Sequence, residues 1–192
     1  MYIISKVIYI YNMNLPFHTW KHNNWVNTFI IKQIETLKPS IVHDVGCGDG
    51  FYGKLIKFLL PNTKVIGIEL NKKWVNHCNN LGIYDEIFST SIVDKIKELS
   101  GEFIIFGDIL EHLDKIDMEN TLNTAVNNFS YVILNGPVGF QPQFHEDPEE
   151  IHRCGITRDD LTQYEVLEYN ESYSGPNANE MMNVLIKGKR SI

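Results

Sequence analysis

Strand-like and helix-like patterns alternate through five units between Ile41 and Leu134, and this alternation constrains the fold more than any other feature of the chain. Ile41–Val45, Lys64–Glu69, Glu86–Phe88, Phe103–Phe106 and Tyr131–Leu134 are short runs rich in β-branched and aromatic residues. Phe51–Leu60, Lys72–Leu81, Ser91–Leu99 and Met118–Asn128 read as the intervening helices, and His18–Leu37 places apolar residues at helical spacing ahead of them. Pro39 and Pro61 mark two helix ends. Parallel neighbours need a crossover, so a chain that regains a strand after each helix builds a parallel sheet covered on both faces. Glu165–Tyr169 and Asn183–Lys187, joined through a Gly-Pro-Asn loop, close the chain as strands. The expected class is α/β: a doubly wound, mostly parallel, seven-stranded sheet.

Length and composition narrow the organisation. The 192 residues suit a single domain over 16–192 with a lid-like polar insertion at about 135–155, preceded by an extension or tail over 1–15. An apolar fraction of 43% is that of a globular protein. No run reaches the ~18 apolar residues of a membrane-spanning helix, so no membrane partner is expected. Twenty-four Asp and Glu against 17 Lys and Arg argue against gripping a nucleic-acid backbone, and no stable DNA binding is expected. Cys47, Cys78 and Cys154 form no CxxC pair, which fits a reducing, cytoplasmic setting. Met1–Tyr11 carries one lysine and no small-residue cleavage site, so it makes a poor secretory signal. An edge strand, a loose tail, and translation upstream of a start at Met13 all stay open for it, as do monomer and homodimer.

Asp44-Val45-Gly46-Cys47-Gly48-Asp49-Gly50 lies between the first strand and the next helix. In a doubly wound sheet this is where a ligand binds. Glycines at 46, 48 and 50 let the backbone adopt positive φ and approach a ligand closely. A nicotinamide fingerprint calls for glycine at 51, where this chain has Phe51, and Asp44 and Asp49 would repel phosphates. No GxxxxGK[ST] loop exists. The loop suits an adenosine ligand without phosphates that carries an ammonium group. Glu69, ending the second strand, is placed to accept both ribose hydroxyl protons.

Asp44, Gly46, Gly48 and Gly50, with Glu69, resemble the DxGxGxG loop and acidic ribose ligand of class I S-adenosylmethionine-dependent methyltransferases, and the resemblance covers roughly residues 40 to 187. It implies a Rossmann-like sheet with an antiparallel last strand and S-adenosyl-L-methionine as cofactor. The implied cofactor contacts are Asp44, Gly46, Cys47, Gly48, Gly50, Glu69, Leu70, Ser91 and Asp108. Many members place Asp or Asn after the third strand for the adenine amino group. Here Ser89-Thr90-Ser91 offers hydroxyls, Ser91 first among them.

Asp108-Ile109-Leu110-Glu111-His112-Leu113 follows the fourth strand, on the acceptor side. It is not the [DN]PP[YFW] of enzymes that methylate DNA or glutamine amines, and Asn135-Gly136-Pro137 stands after the fifth strand instead. Cys47 lacks the Pro-Cys context of a cytosine nucleophile. A helical turn starting at Asp108 would put Asp108, Glu111 and His112 on one face, a set able to bind a divalent metal or to supply a general base. The segment is similar to the ExxEH of ubiquinone-pathway O-methyltransferases and of Hen-type small-RNA 2′-O-methyltransferases. The latter carry a further metal-binding histidine five residues before a threonine, as His152 stands before Thr157. The implied metal ligands are Asp108, Glu111, His112 and His152. His152–Thr157 also resembles the HRSGWT-like lid of uncharacterised bacterial methyltransferases. Metal assistance, metal-free acid–base work by His112, and plain packing therefore all stay open. Thr157–Thr162 reads as a short helix capped by Thr157. His18, His22 and His77 read as surface or packing residues, and Lys187–Arg190 as a solvated end.

The expected function is methyl transfer to oxygen of a small-molecule, sugar or nucleotide-like acceptor, with His112 as base. The alternatives are metal-assisted RNA 2′-O-methylation and a non-catalytic, cofactor-binding regulatory partner. A nicotinamide-dependent oxidoreductase is disfavoured by Phe51.

Overall fold

The structure, a computed structural model, describes residues 24–143, 145–173 and 180–191. The readings placed on 1–15, His18 and His22 lie outside the described residues. The elements run α1 (Asn24–Leu37), β1 (Ile41–Val45), α2 (Phe51–Leu59), β2 (Lys64–Glu69), α3 (Lys72–Leu81), β3 (Glu86–Ser89), α4 (Ile92–Lys95), β4 (Gly101–Gly107), α5 (Lys115–Asn128), β5 (Phe129–Pro137), β6 (Glu165–Tyr173) and β7 (Glu180–Lys187). One seven-stranded sheet has the order β3-β2-β1-β4-β5-β7-β6. The first five strands are parallel; β7 is antiparallel to both β5 and β6.

The pleat divides the core. On β4, Ile104 and Phe106 face one layer, packed by α4 and α5 through Ile92, Met118, Leu122 and Ala125. Phe103 and Ile105 face the other, against Phe29, Ile30 and Ile34 of α1 and Leu55 and Ile56 of α2. Both faces of the central strand are thus dry, which is why Phe103–Phe106 reads as an unbroken apolar run. His43 belongs to this packing: it meets Phe129 edge-on, and burial lowers its pKa to about 4, so it stays neutral.

Several local expectations shift. Ser91–Leu99 becomes a four-residue α-turn followed by a 3-10 turn over Ile96–Glu98. The fifth strand extends to Pro137, because β7 pairs with Asn135, Gly136 and Pro137, the first residues of the expected lid. Thr157 does not cap a helix. The segment is a 3-10 turn over Asp159–Leu161, and Thr157 donates its N–H and hydroxyl to the Asp160 carboxylate, at 2.7 and 2.8 Å. A carboxylate held by Lys115 at 2.8 Å is the stronger acceptor, so the expected polarity reverses. No helix among the described residues is long and apolar enough to cross a membrane.

Candidate functional site

β1, β2, β3 and β4 all end at the same edge of the sheet, and the expected cofactor residues gather there. Gly46, Gly48 and Gly50 adopt φ of 65°, 49° and 81°. At Gly46 the need for glycine is steric as well, since a Cβ would lie 1.9 Å from Cδ1 of Ile109. The Gly46 N–H donates to the Ile68 carbonyl at 2.8 Å, which folds the loop back over the end of β2. Glu69, buried, fixes the loop from the other side. It accepts from Gly48 N–H at 2.9 Å and from Asn71 N–H at 2.7 Å, one bond to each oxygen. Burial raises its pKa, and those two N–H groups oppose the rise.

The other residues expected to contact the cofactor lie around this loop and the ends of β2, β3 and β4. Asp44 is fully buried and accepts a hydrogen bond from the Tyr84 hydroxyl at 2.6 Å on Oδ2, while Oδ1 has no partner. Cys47 is buried with its Sγ 3.9 Å from that of Cys78, which also donates to the Gly48 carbonyl at 3.2 Å. Leu70 is 48% exposed, leaving an apolar surface beside the end of β2. Ser91 is the N-cap of α4, accepting from Val93 N–H at 3.2 Å. That bond occupies a lone pair and leaves the hydroxyl proton available.

Asp108 sits at the exit of β4 with φ of 60°, outside any helical turn, and its N–H donates to the Asn135 carbonyl at 2.8 Å. The 3-10 turn that follows covers only Leu110–His112. The expected shared helical face of Asp108, Glu111 and His112 therefore does not form. Asp108 instead meets Glu111 through a side-chain hydrogen bond. Burial raises the pKa of both, and Glu111, which feels Asp108 as well, rises furthest.

Three of the four expected metal ligands come together. Glu111, His112 and His152 each offer one ligand atom, all within 4.8 Å of one another. Asp108 is not part of that group. The lid carries His152 in: Arg153 and Cys154 N–H both donate to the Glu111 carbonyl, at 2.8 and 3.1 Å. The His112 and His152 rings meet edge-on at 4.9 Å. His152 Nδ1 is held 2.7 Å from the Gln141 carbonyl, which leaves Nε2 available for other partners. Oε1 of Glu111 and Nδ1 of His112 are buried without partners. Burial lowers the His112 pKa, so its imidazole is a neutral acceptor near pH 7.

The electrostatics of the whole edge are one-sided. Asp44, Asp49, Glu69, Asp108, Glu111 and Glu150 form no ion pair with Lys or Arg among the described residues. Glu150 on the lid acts on both Glu69 and Asp108, linking the two halves of the site. Of these, Asp44, Glu69 and Glu111 are buried, and buried acids without a cation disfavour an anionic ligand and favour a positively charged one.

Three contributors had no sequence signal of their own. Tyr84 reaches Asp44 from a loop 40 positions away. Asn71 adds an N–H to Glu69, and Gln141 a carbonyl to His152. Only glycines 53 and 67, which make room for the Tyr84 ring, leave a trace of that contact.

No family model matches the sequence. Ribosomal RNA small subunit methyltransferase G of Mycoplasma capricolum is 27% identical over 116 residues, covering 58% of this chain and 49% of that protein. The chain thus spans about half the length of the curated relative it matches. TehB from Haemophilus influenzae superposes with a TM-score of 0.67 at 15% identity, over 83% of this chain and 61% of that one. A S-adenosylmethionine-dependent methyltransferase from Clostridium acetobutylicum gives 0.64 at 15% identity, over 96% and 98%. What this chain has in common with these structures is its fold, a Rossmann-like methyltransferase fold with an antiparallel seventh strand.

Proposed function

We propose that the protein is an S-adenosyl-L-methionine-dependent methyltransferase acting on oxygen of a small-molecule, sugar or nucleotide-like acceptor. The observation that carries this reading is the pairing of the left-handed glycine loop with Glu69, whose two oxygens pin the loop and Asn71. Each oxygen has accepted one hydrogen bond and keeps a lone pair for a ribose hydroxyl. The unpartnered Oδ1 of Asp44 supports the fit, as an acceptor for an ammonium group. Leu70 supplies an apolar wall for adenine, Ser91 a hydroxyl for its edge, and Gly46, Cys47, Gly48, Gly50 and Asp108 line the approach.

The cofactor supplies a methyl group already activated on a sulfonium, so the protein's work is alignment and proton handling. The buried acids hold the cationic ligand and keep phosphates out. His112, neutral and with a free Nδ1, takes the proton of the acceptor hydroxyl. Asp108, beside it and hydrogen-bonded to Glu111, stabilises the imidazolium that results.

The proximity of Glu111, His112 and His152 favours a second reading, in which these three hold a divalent metal. A metal there would lower the pKa of an acceptor hydroxyl. The name of the Mycoplasma relative points to RNA as an acceptor for this version, against which stands the net charge of −7.

Calorimetric titration of chelator-treated protein with S-adenosylhomocysteine tests the cofactor reading. One-to-one micromolar binding is expected, and no binding at any pH between 5.5 and 8.5 would overturn it. Titration with zinc or manganese, in wild type and in His152→Ala, then separates the two readings: one-to-one binding lost in the variant supports the metal, and no binding in wild type removes it.

A further inference from the structure

Tyr84 lies outside every motif of the sequence, yet its side chain is built into the floor of the glycine loop. Its ring fills a notch that exists because two other positions lack side chains. A Cβ at Gly53 of α2 would fall 2.5 Å from Tyr84 Cζ, and one at Gly67 of β2 would fall 3.2 Å from Cδ1. The notch aims the hydroxyl at Asp44, 2.6 Å from Oδ2. The other oxygen of the same carboxyl, Oδ1, is buried and accepts nothing. Asp44 pairs in register with Gly67 of β2 and Ile105 of β4, one residue before the last position of β1, so it underlies the loop at the switch point of the sheet.

We propose that Tyr84 is a positioning residue for ligand binding: its phenol holds one oxygen of Asp44 and turns the other toward the ammonium group of the methyl donor. This rests on the cofactor reading above and deepens it. A carboxylate free to rotate in a buried site would present either oxygen to the loop. A phenol fixed in a glycine-walled notch selects one.

The arrangement also sets the charge of Asp44. Glu69 at the end of β2, Asp49 in the loop, the Gly53 backbone on α2 and Tyr84 itself act on it, and it acts in turn on Cys47 in the loop and Tyr52 on α2. Burial first, then the neighbouring Glu69 and Asp49, raise its pKa to about 7, while the Tyr84 and Gly53 hydrogen bonds oppose that rise. Loss of the phenol hydroxyl removes the stronger of the two opposing contributions. The midpoint then moves to higher pH, by about one unit for a charge-assisted hydrogen bond.

The experiment is a calorimetric titration of the full chain with S-adenosylhomocysteine from pH 5.5 to 8.5, for wild type, Tyr84→Phe, Asp44→Asn and the double variant. In wild type the affinity should rise with pH and level off above about 7, where Asp44 is ionised. Tyr84→Phe keeps the ring in its notch. Its affinity should follow the same curve displaced upward by about one pH unit, roughly tenfold weaker at pH 6.5 and close to wild type at 8.5. Asp44→Asn should lose that component of the pH dependence, and adding Tyr84→Phe to it should change nothing further. Replacing Tyr84 by 3-fluorotyrosine, a stronger donor of the same shape, should displace the curve to lower pH. It serves equally if Tyr84→Phe fails to fold. An equal loss of affinity at every pH would assign Tyr84 a packing role and overturn the proposal, as would an undisplaced curve. Absence of binding by wild type at any pH would instead overturn the cofactor reading itself.

Discussion

The glycine loop and the exit of β4 both bury acids without a basic partner, and they satisfy them in opposite ways. At the loop, the carboxyl groups accept from neutral donors: Glu69 from two backbone N–H groups, Asp44 from a phenol. At the β4 exit, Asp108 and Glu111 meet each other, and the edge-on imidazoles of His112 and His152 act on Asp108. Neutral donors stabilise a carboxylate without neutralising it, so on the proposed reading the first region is ready for a cation that arrives with the ligand. Burial raises the pKa of both facing carboxyls, and the unpartnered Nδ1 of His112 has a lone pair to accept a proton. On the proposed reading the second region handles protons or a metal ion. The lesson is that burial without countercharge has two stable solutions, and this fold uses one at the glycine loop and the other at the β4 exit.

The division can be broken most directly at His112. On the proton-handling reading, His112→Ala should lower turnover about 10²- to 10⁴-fold and leave the affinity for S-adenosylhomocysteine unchanged. Steady-state kinetics beside calorimetry checks this, and a matching fall in affinity would merge the two regions into one. Glu69→Ala is the converse. On the cofactor reading, losing the ribose acceptor together with the Gly48 and Asn71 contacts should weaken S-adenosylhomocysteine about 100-fold or more. Binding within threefold of wild type would remove Glu69 from the cofactor side.

Asp44→Asn sharpens the comparison through stability. A carboxyl whose folded pKa lies near 7, against an ordinary value near 4, makes the folded protein less stable as pH rises from about 4 to about 7, with no further loss above that. The asparagine does not ionise, so its ligand-free form should gain on wild type across that window. At pH 8 a net gain of about 2 kcal/mol remains, once the cost of an unpaired amide is set against the relief of a buried charge. Denaturant melts at pH 4.5 and 8 measure it, and a gain equal at both would show that Asp44 does not titrate in the window. Ser91→Ala marks the outer edge of the cofactor region. Loss of an N-cap should cost about 1 kcal/mol of stability, and loss of one half-buried hydroxyl only a few-fold in affinity. A fall beyond tenfold would make Ser91 a principal contact.

Much of the loop side was legible in the chain itself. Three alternating glycines after a strand, an acid ahead of them and an acid ending the next strand are separated by spacings that the geometry of one β-α-β unit dictates. All of these fell at the same sheet edge. The β4 exit was legible in composition and not in arrangement. Asp108, Glu111 and His112 suggested a helical face, but the left-handed turn at Asp108 and the short 3-10 turn replaced it with a carboxyl pair. Thr157 failed as a cap for a similar reason: Asp160, fixed by Lys115, competed for its N–H and hydroxyl.

By itself, then, the sequence determined the alternating architecture, the two dry faces of the sheet and the glycine loop, because hydrophobic period, backbone freedom and short-range spacing are local properties. Only the tertiary structure decided that Tyr84 finds Asp44, that Gly53 and Gly67 make room for it, and that the lid brings His152 to His112. Those contacts join residues tens of positions apart. Their energy comes from filling a notch or satisfying a buried polar atom, and neither the notch nor the buried atom exists until the sheet and its helices have closed around it.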